Sequence, residues 1–74
     1  MADVPEEVAQ WCEQFARAAG IDPPTDREMD DLLALAGVAA HASARQAAPI
    51  TCWLAARAGL TLDDALATAR RMSE

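Results

Sequence analysis

The chain has 74 residues, twelve of them Asp or Glu and six of them Arg, which gives a formal net charge of -6 at pH 7. This acidic balance argues against a general nucleic-acid binder or a binder of anionic membranes, because phosphate contacts require clustered Lys or Arg. A chain of this length is expected to form one domain over residues 1–74. Its N-terminus has neither the basic nor the long apolar region of a signal peptide, so we expect a cytoplasmic protein without a membrane segment.

The first helix is predicted over about residues 4–19. Asp3 is the expected N-cap, with Glu6 completing a capping box, and Gly20 is the expected stop. Apolar residues recur along one face at helical spacing, which predicts that this face is buried. Its members are Val8, Trp11, Cys12, Phe15 and Ala19.

The second helix is predicted over about residues 26–45, with Thr25 and Glu28 as its capping box. It is apolar on nearly all sides, which is typical of a helix at the centre of a domain. Gly37 costs up to ~1 kcal/mol relative to Ala in mid-helix, so we expect a neighbouring backbone to lie close to it. The main apolar stripe consists of Met29, Leu32, Leu33, Ala36 and Ala40, and the positions that widen it include Leu35 and Ala39.

Two shorter helices are predicted over about residues 49–58 and 62–73. Pro49 suits the first turn of the third helix, Gly59 stops it, and Thr61 with Asp64 caps the fourth. One face of the third helix carries Ile50, Trp53, Leu54 and Arg57, and the inner face of the fourth carries Leu62, Leu66, Ala69 and Met72. The sequence therefore predicts an all-α fold, a compact bundle of four short helices. Trp11 and Trp53 are expected in its core, although either could anchor a partner instead.

A candidate binding site lies between the second and third helices, within the acid-free segment 32–62. His41 and Arg45 are four residues apart, so a continuous helix would present both on one face. Together with the free N–H groups at the start of the third helix, they could hold a phosphate or a carboxylate. The alternative is structural: Arg45 satisfies helix carbonyls, and His41 bonds a backbone oxygen in the core. The candidate residues are His41, Arg45, Gln46, Ile50 and Thr51.

Other chemistry-bearing residues favour structural roles. Cys52 near a helix N-terminus has the position of a nucleophile, but no nearby acid could orient His41, so a reduced, buried thiol is expected. The spacing of Cys12, Cys52 and one histidine does not suit zinc. The acidic pairs 30–31 and 63–64 lie in first helical turns, where acids are common. We expect no metal, no cofactor and no enzymatic activity.

The run from Ala40 to Thr51 reads A-H-x-x-A-R-x-A-A-P-I-T. This pattern resembles a small actinobacterial-type domain of unknown function that occurs alone, or fused to or encoded near molybdenum cofactor guanylyltransferases. The chain departs from the family pattern at Gln46, where proline is usual, at Cys52, where a second threonine is common, and at Trp53, which replaces phenylalanine. His41, Arg45, Pro49 and Thr51 match it.

The resemblance implies a non-enzymatic accessory module that supports molybdenum cofactor maturation or a molybdenum enzyme. Its expected partner is the guanylyltransferase or an accessory factor of a molybdenum enzyme, contacted through His41, Arg45 and Thr51. One alternative is a small domain that binds an anion or a nucleotide, such as a molybdopterin nucleotide, at the same point. Another is a structural domain that forms a homodimer through its alanine-rich helices.

Overall fold

The computed structural model of the chain describes residues 4–74. They contain four helices, α1 (Glu6–Ala19), α2 (Asp26–Ala42), α3 (Ala47–Arg57) and α4 (Leu62–Met72), and residues 4–74 contain no β-strand. The predicted all-α fold of four short helices is confirmed. The bounds differ at both ends of the α2–α3 connection: α2 ends at Ala42 rather than near residue 45, and α3 begins at Ala47 rather than at Pro49.

Side-chain caps begin α2 and α4 as the sequence predicts. The Thr25 N–H donates to Glu28 Oε1 at 2.8 Å, and the Glu28 N–H donates to Thr25 Oγ1 at 3.1 Å, which completes a reciprocal capping box. At α4, the Asp64 N–H donates to Thr61 Oγ1 at 3.1 Å. The predicted cap of α1, Asp3, lies outside the described residues.

Gly20 ends α1 in the left-handed conformation, with φ 77°. Its N–H donates to the Arg17 carbonyl at 3.1 Å, and the Ile21 N–H reaches back to the Ala16 carbonyl at 2.9 Å. This pair of bonds satisfies carbonyls that the helix end would otherwise leave free. The glycine stop predicted from the sequence is therefore confirmed.

The chain divides into two compact units, one ending at Asp30 and the other covering Asp31–Glu74. The second unit has a small core in which Leu35 of α2 packs with Ala65 and Leu66 of α4. Four partly buried residues pack against this core: Ala34, Cys52, Ala55 and Ala69.

The predicted burial of the aromatic residues is wrong. Trp11 is 66% exposed, Phe15 64% and Trp53 60%, whereas the buried residue of α1 is Ala16. Helix α3 has no buried residue. An apolar stripe shows which face of a helix is stabilised by burial, but it does not show which other residues bury that face.

Within α2 the buried residues are Leu35 and Ala39, and Leu33 of the predicted main stripe is exposed. Because α2 is apolar almost all round, its sequence period does not single out the inward face. In α4, Ala65 is buried with Leu66, and Met72 is exposed instead of lying on the inner face. Gly37 is also exposed, and a Cβ atom added there would meet nothing within 4 Å, so the expected close approach of a backbone is wrong.

Candidate functional site

The five candidate site residues lie at the corner between α2 and α3, within the second unit. His41 is in the last turn of α2, Arg45 and Gln46 lie in the connecting turn, and Ile50 and Thr51 are in α3. Thr51 is half-buried and the other four are exposed. His41 and Arg45 do not lie on one continuous helix, because α2 ends between them. The exposure of His41 also contradicts the alternative that places it in the core.

The start of α3 offers fewer free backbone donors than the sequence predicts. The Ala47 N–H donates to the Ala44 carbonyl at 2.8 Å, and the Ala48 N–H donates to the Arg45 carbonyl at 3.1 Å. Pro49 has no N–H. Since α3 begins earlier than predicted, Thr51 is its fifth residue, where the N–H belongs to the helical hydrogen-bond ladder. These backbone N–H groups therefore already donate within the turn and are not free to bind an anion.

Two adjoining grooves flank the end of α2. The larger has a volume of about 500 Å³ and is lined by Ala34, Gly37, Val38, His41, Ala42 and Ser73. The smaller has a volume of about 120 Å³, and Thr51 and Met72 are among its lining residues. Their walls are mostly small and apolar; the larger groove has the polar side chains of His41 and Ser73, and the smaller has those of Ser43 and Thr51.

Helix α3 carries several exposed apolar side chains of the second unit. We define the α3 face as Ile50, Trp53, Leu54 and Arg57, which are all exposed. The Arg57 guanidinium carbon lies 5.2 Å from the centroid of the Trp53 ring. This is the range of a cation–π contact. Sequence reasoning placed this face in the core, although an arginine among its members indicates a surface that water reaches.

Cys52 lies on the opposite side of α3, half-buried and packed against the core. Burial raises the pKa of its thiol, because a low-dielectric environment disfavours the thiolate. The environment of Cys52 therefore resembles that of a structural cysteine. Both cysteines are free thiols.

Residues 4–74 contain no group of three His, Cys, Asp or Glu side chains placed to hold a metal ion. In the same part of the chain, no helix combines the length and the apolar character that crossing a membrane requires.

Comparison with curated proteins and with solved structures finds no match. A family model described as a domain of unknown function, DUF6457, matches residues 3–74. The match spans all four helices, the α2–α3 corner and the α3 face. On this match, the chain belongs to the DUF6457 family.

Proposed function

We propose that this chain is a non-enzymatic protein-interaction module that docks a partner on the α3 face. The observation that carries the proposal is the exposure of Ile50, Trp53 and Leu54 on a helix with no buried residue. Removal of apolar surface from water is the dominant favourable term in most protein–protein association. Tryptophan is enriched among residues that dominate binding energy. A partner that covers Trp53 would therefore gain most of its affinity at this side chain.

The charges around the α3 face favour a partner with an acidic surface. The sequence of α3 contains no Asp or Glu, and its charged residue is Arg57. Arg45, in the turn that leads into α3, is also exposed. These arginines can contact carboxylates at the rim of an interface, while the apolar side chains form its centre. His41 and Thr51 remain candidates for polar contacts at the same corner.

The resemblance of the segment 40–51 supports a role in molybdenum cofactor maturation in the cytoplasm. The proposed partner is the molybdenum cofactor guanylyltransferase of the same genome, which is the partner that the resemblance implies. An accessory role fits the exposure of the α3 face, because an exposed face suits docking of a macromolecule better than enclosure of a substrate.

Titration calorimetry with the purified guanylyltransferase tests this proposal. Trp53→Ser should weaken binding about 30-fold or more, which corresponds to a loss of ~2 kcal/mol at a hot spot. Leu33→Ser is the matched control, because Leu33 is also exposed but lies on α2. Its binding should equal that of the wild type.

Two results would contradict the proposal. If the wild-type chain does not bind the guanylyltransferase, the molybdenum role is lost. If a folded Trp53→Ser chain binds as well as the Leu33→Ser chain, the α3 face is not the docking surface.

A further inference from the structure

The two units of the chain differ in charge. Residues 1–30 contain eight Asp or Glu and two Arg, whereas residues 31–74 contain four Asp or Glu and four Arg. The formal net charge of -6 therefore lies in the first unit, and the second unit has none. Acids begin helices in both units, so their preference for helix N-termini does not by itself account for this difference.

Helix α1, in the first unit, presents an exposed apolar surface. We define the α1 face as Val8, Trp11 and Phe15, which recur at helical spacing and are all exposed. The residue that α1 buries is Ala16, which lies on another side of the helix. Trp11 and Phe15 are each about two-thirds exposed, and aromatic side chains contribute strongly to interface energies. The α1 face therefore has the composition of an interface centre.

Acidic and polar side chains border the α1 face. Glu7 lies four residues before Trp11 and Gln14 lies three residues after it, so both emerge on the same side of the helix as the tryptophan. Both are exposed. In the described part of the chain, the Glu7 carboxylate has no hydrogen-bond or ion-pair partner, and the arginine of α1, Arg17, pairs with Glu13 instead. The border of the α1 face therefore offers a carboxylate to an incoming cation.

We infer that the α1 face docks a basic amphipathic segment of a partner protein. The apolar side chains of such a segment cover Trp11 and Phe15, and its Lys or Arg side chains meet Glu7 at the border. The negative charge of the first unit also steers a cationic segment toward this face.

The same charge disfavours the other molecules that an apolar face can contact. Anionic membranes and nucleic acids carry charge of the same sign. Contact between the α1 faces of two copies brings two acidic units together, which like-charge repulsion opposes. A basic protein segment combines apolar cover with the opposite charge.

This inference goes beyond the proposed function and does not rest on it. The α3 face belongs to the neutral second unit and has Arg57 among its members, whereas Glu7 borders the α1 face. The two faces therefore favour segments of opposite charge. Variants of Trp11 test one face and variants of Trp53 test the other, so either proposal can fail alone.

Titration calorimetry with a synthetic peptide tests the inference. The probe has 14 residues, the length of α1, with Leu on one helical face and Lys on the other, and a second peptide has Glu in place of every Lys. The Leu/Lys peptide should bind the wild-type chain, and Trp11→Ser should weaken this binding about 30-fold or more. The matched control, Trp53→Ser, should bind the peptide as the wild type does.

Three results of this titration overturn the inference. The first is a Leu/Lys peptide that does not bind the wild-type chain. The second is a Leu/Glu peptide that binds as tightly as the Leu/Lys peptide. The third is a folded Trp11→Ser chain that binds the Leu/Lys peptide as the wild type does.

A pair of charge reversals tests the role of Glu7. Glu7→Arg and Asp63→Arg change the net charge equally, and both residues are exposed, but Asp63 lies in α4 of the second unit. Glu7→Arg should weaken binding of the Leu/Lys peptide about tenfold, because repulsion replaces attraction at the contact. Asp63→Arg should have a much smaller effect. Equal effects would show that the peptide responds to net charge alone and would contradict the inference.

The fluorescence of the single-tryptophan variant Trp53→Phe reports on Trp11 directly, because the peptides contain no tryptophan. Acrylamide should quench Trp11 efficiently in the free chain and much less after addition of the Leu/Lys peptide. Protection of Trp11 in the free chain overturns the inference, whether a second copy or the rest of the chain provides the cover. Protection by phosphatidylglycerol vesicles in place of the peptide assigns the face to a membrane and overturns it as well.

Discussion

The Arg57 guanidinium lies over the Trp53 ring, with its carbon 5.2 Å from the ring centroid, and both residues are exposed. At exposed sites such a contact contributes about 0.5–1 kcal/mol. We expect Arg57→Ala to lower the free energy of unfolding by no more than this amount in urea titrations. Arg57→Lys keeps a cation near the ring and should lose less. A loss of several kcal/mol would show that the fold itself depends on Arg57, which would contradict a purely surface contact.

The core of the second unit depends on Leu35, which is 1% exposed and packs with Ala65 and Leu66. Leu35→Ala should lower the free energy of unfolding by about 2–5 kcal/mol, because the lost contacts leave a cavity. A domain of this size has roughly 3–5 kcal/mol in total, so a large unfolded fraction is expected by circular dichroism. Leu33→Ala, at an exposed position two residues away, is the control and should unfold close to the wild type.

Gly37 should be replaceable with a gain in stability. It lies within α2, and an added Cβ would have nothing within 4 Å. Gly37→Ala should raise the free energy of unfolding by about 0.5–1 kcal/mol through reduced backbone entropy in the unfolded chain. Gly59→Ala should have the opposite effect, since Gly59 has φ 71° and a side chain there is strained. The Tm of each variant is compared with that of the wild type by thermal melting. A Tm of Gly37→Ala below the wild-type value would contradict the finding that an added Cβ at this position meets no neighbouring atom.

Stability should fall at alkaline pH because of Cys52. Burial raises the pKa of its thiol in the folded chain, whereas a cysteine in the unfolded chain has a pKa of about 8.5. Above that pH the folded chain holds more protons than the unfolded chain. The stability present below the unfolded pKa is therefore lost as the pH rises through the folded pKa.

The contribution of Cys52 can be separated from that of other groups by comparison with Cys52→Ala. Urea unfolding of both chains between about pH 7 and pH 10 covers the range above the unfolded thiol pKa. The wild type should lose more stability across it than the variant. Parallel curves would show that the Cys52 thiol has the same pKa in both states.

Inorganic phosphate should produce little thermal stabilisation. A ligand that binds the folded chain raises its stability by RT ln(1 + [L]/Kd), but the N–H groups of Ala47 and Ala48 already donate to turn carbonyls. We expect a nearly constant Tm across phosphate concentrations at fixed ionic strength. A rise in Tm that is abolished by Arg45→Ala would instead support the predicted anion site.

Local sequence signals predicted the helices well. The helix caps and the glycine stop depend on hydrogen bonds between residues at most five positions apart, so the local sequence is enough to predict them. They are the capping box of Thr25 and Glu28, the cap that Thr61 provides to Asp64, and the stop at Gly20. The α2–α3 corner was less predictable. The N–H groups of Ala47 and Ala48 close this turn by donating to the backbone carbonyls of Ala44 and Arg45. No side-chain pattern in the sequence indicates these two hydrogen bonds.

The burial of individual side chains was predicted least well, because it depends on which elements pack against each helix face. The apolar period of α1 indicates a face that favours burial, and Trp11 lies on it, yet the residue that is buried is Ala16. The exposure of Trp53 had one visible signal, the presence of Arg57 on the same helical face. The α3 face therefore replaces the turn as the main candidate surface, and Arg45 lies in the turn that precedes α3.

The central claim is that Trp53 is open to solvent in the free monomer and becomes covered in a complex. Acrylamide quenching of the single-tryptophan variant Trp11→Phe measures this directly when Trp53 is replaced biosynthetically by 5-hydroxytryptophan, because its fluorescence can then be excited apart from the tryptophans of the partner. We predict efficient quenching in dilute solution and strong protection after addition of the guanylyltransferase. Protection of Trp53 in the dilute chain, or unchanged quenching in the complex, would contradict the account.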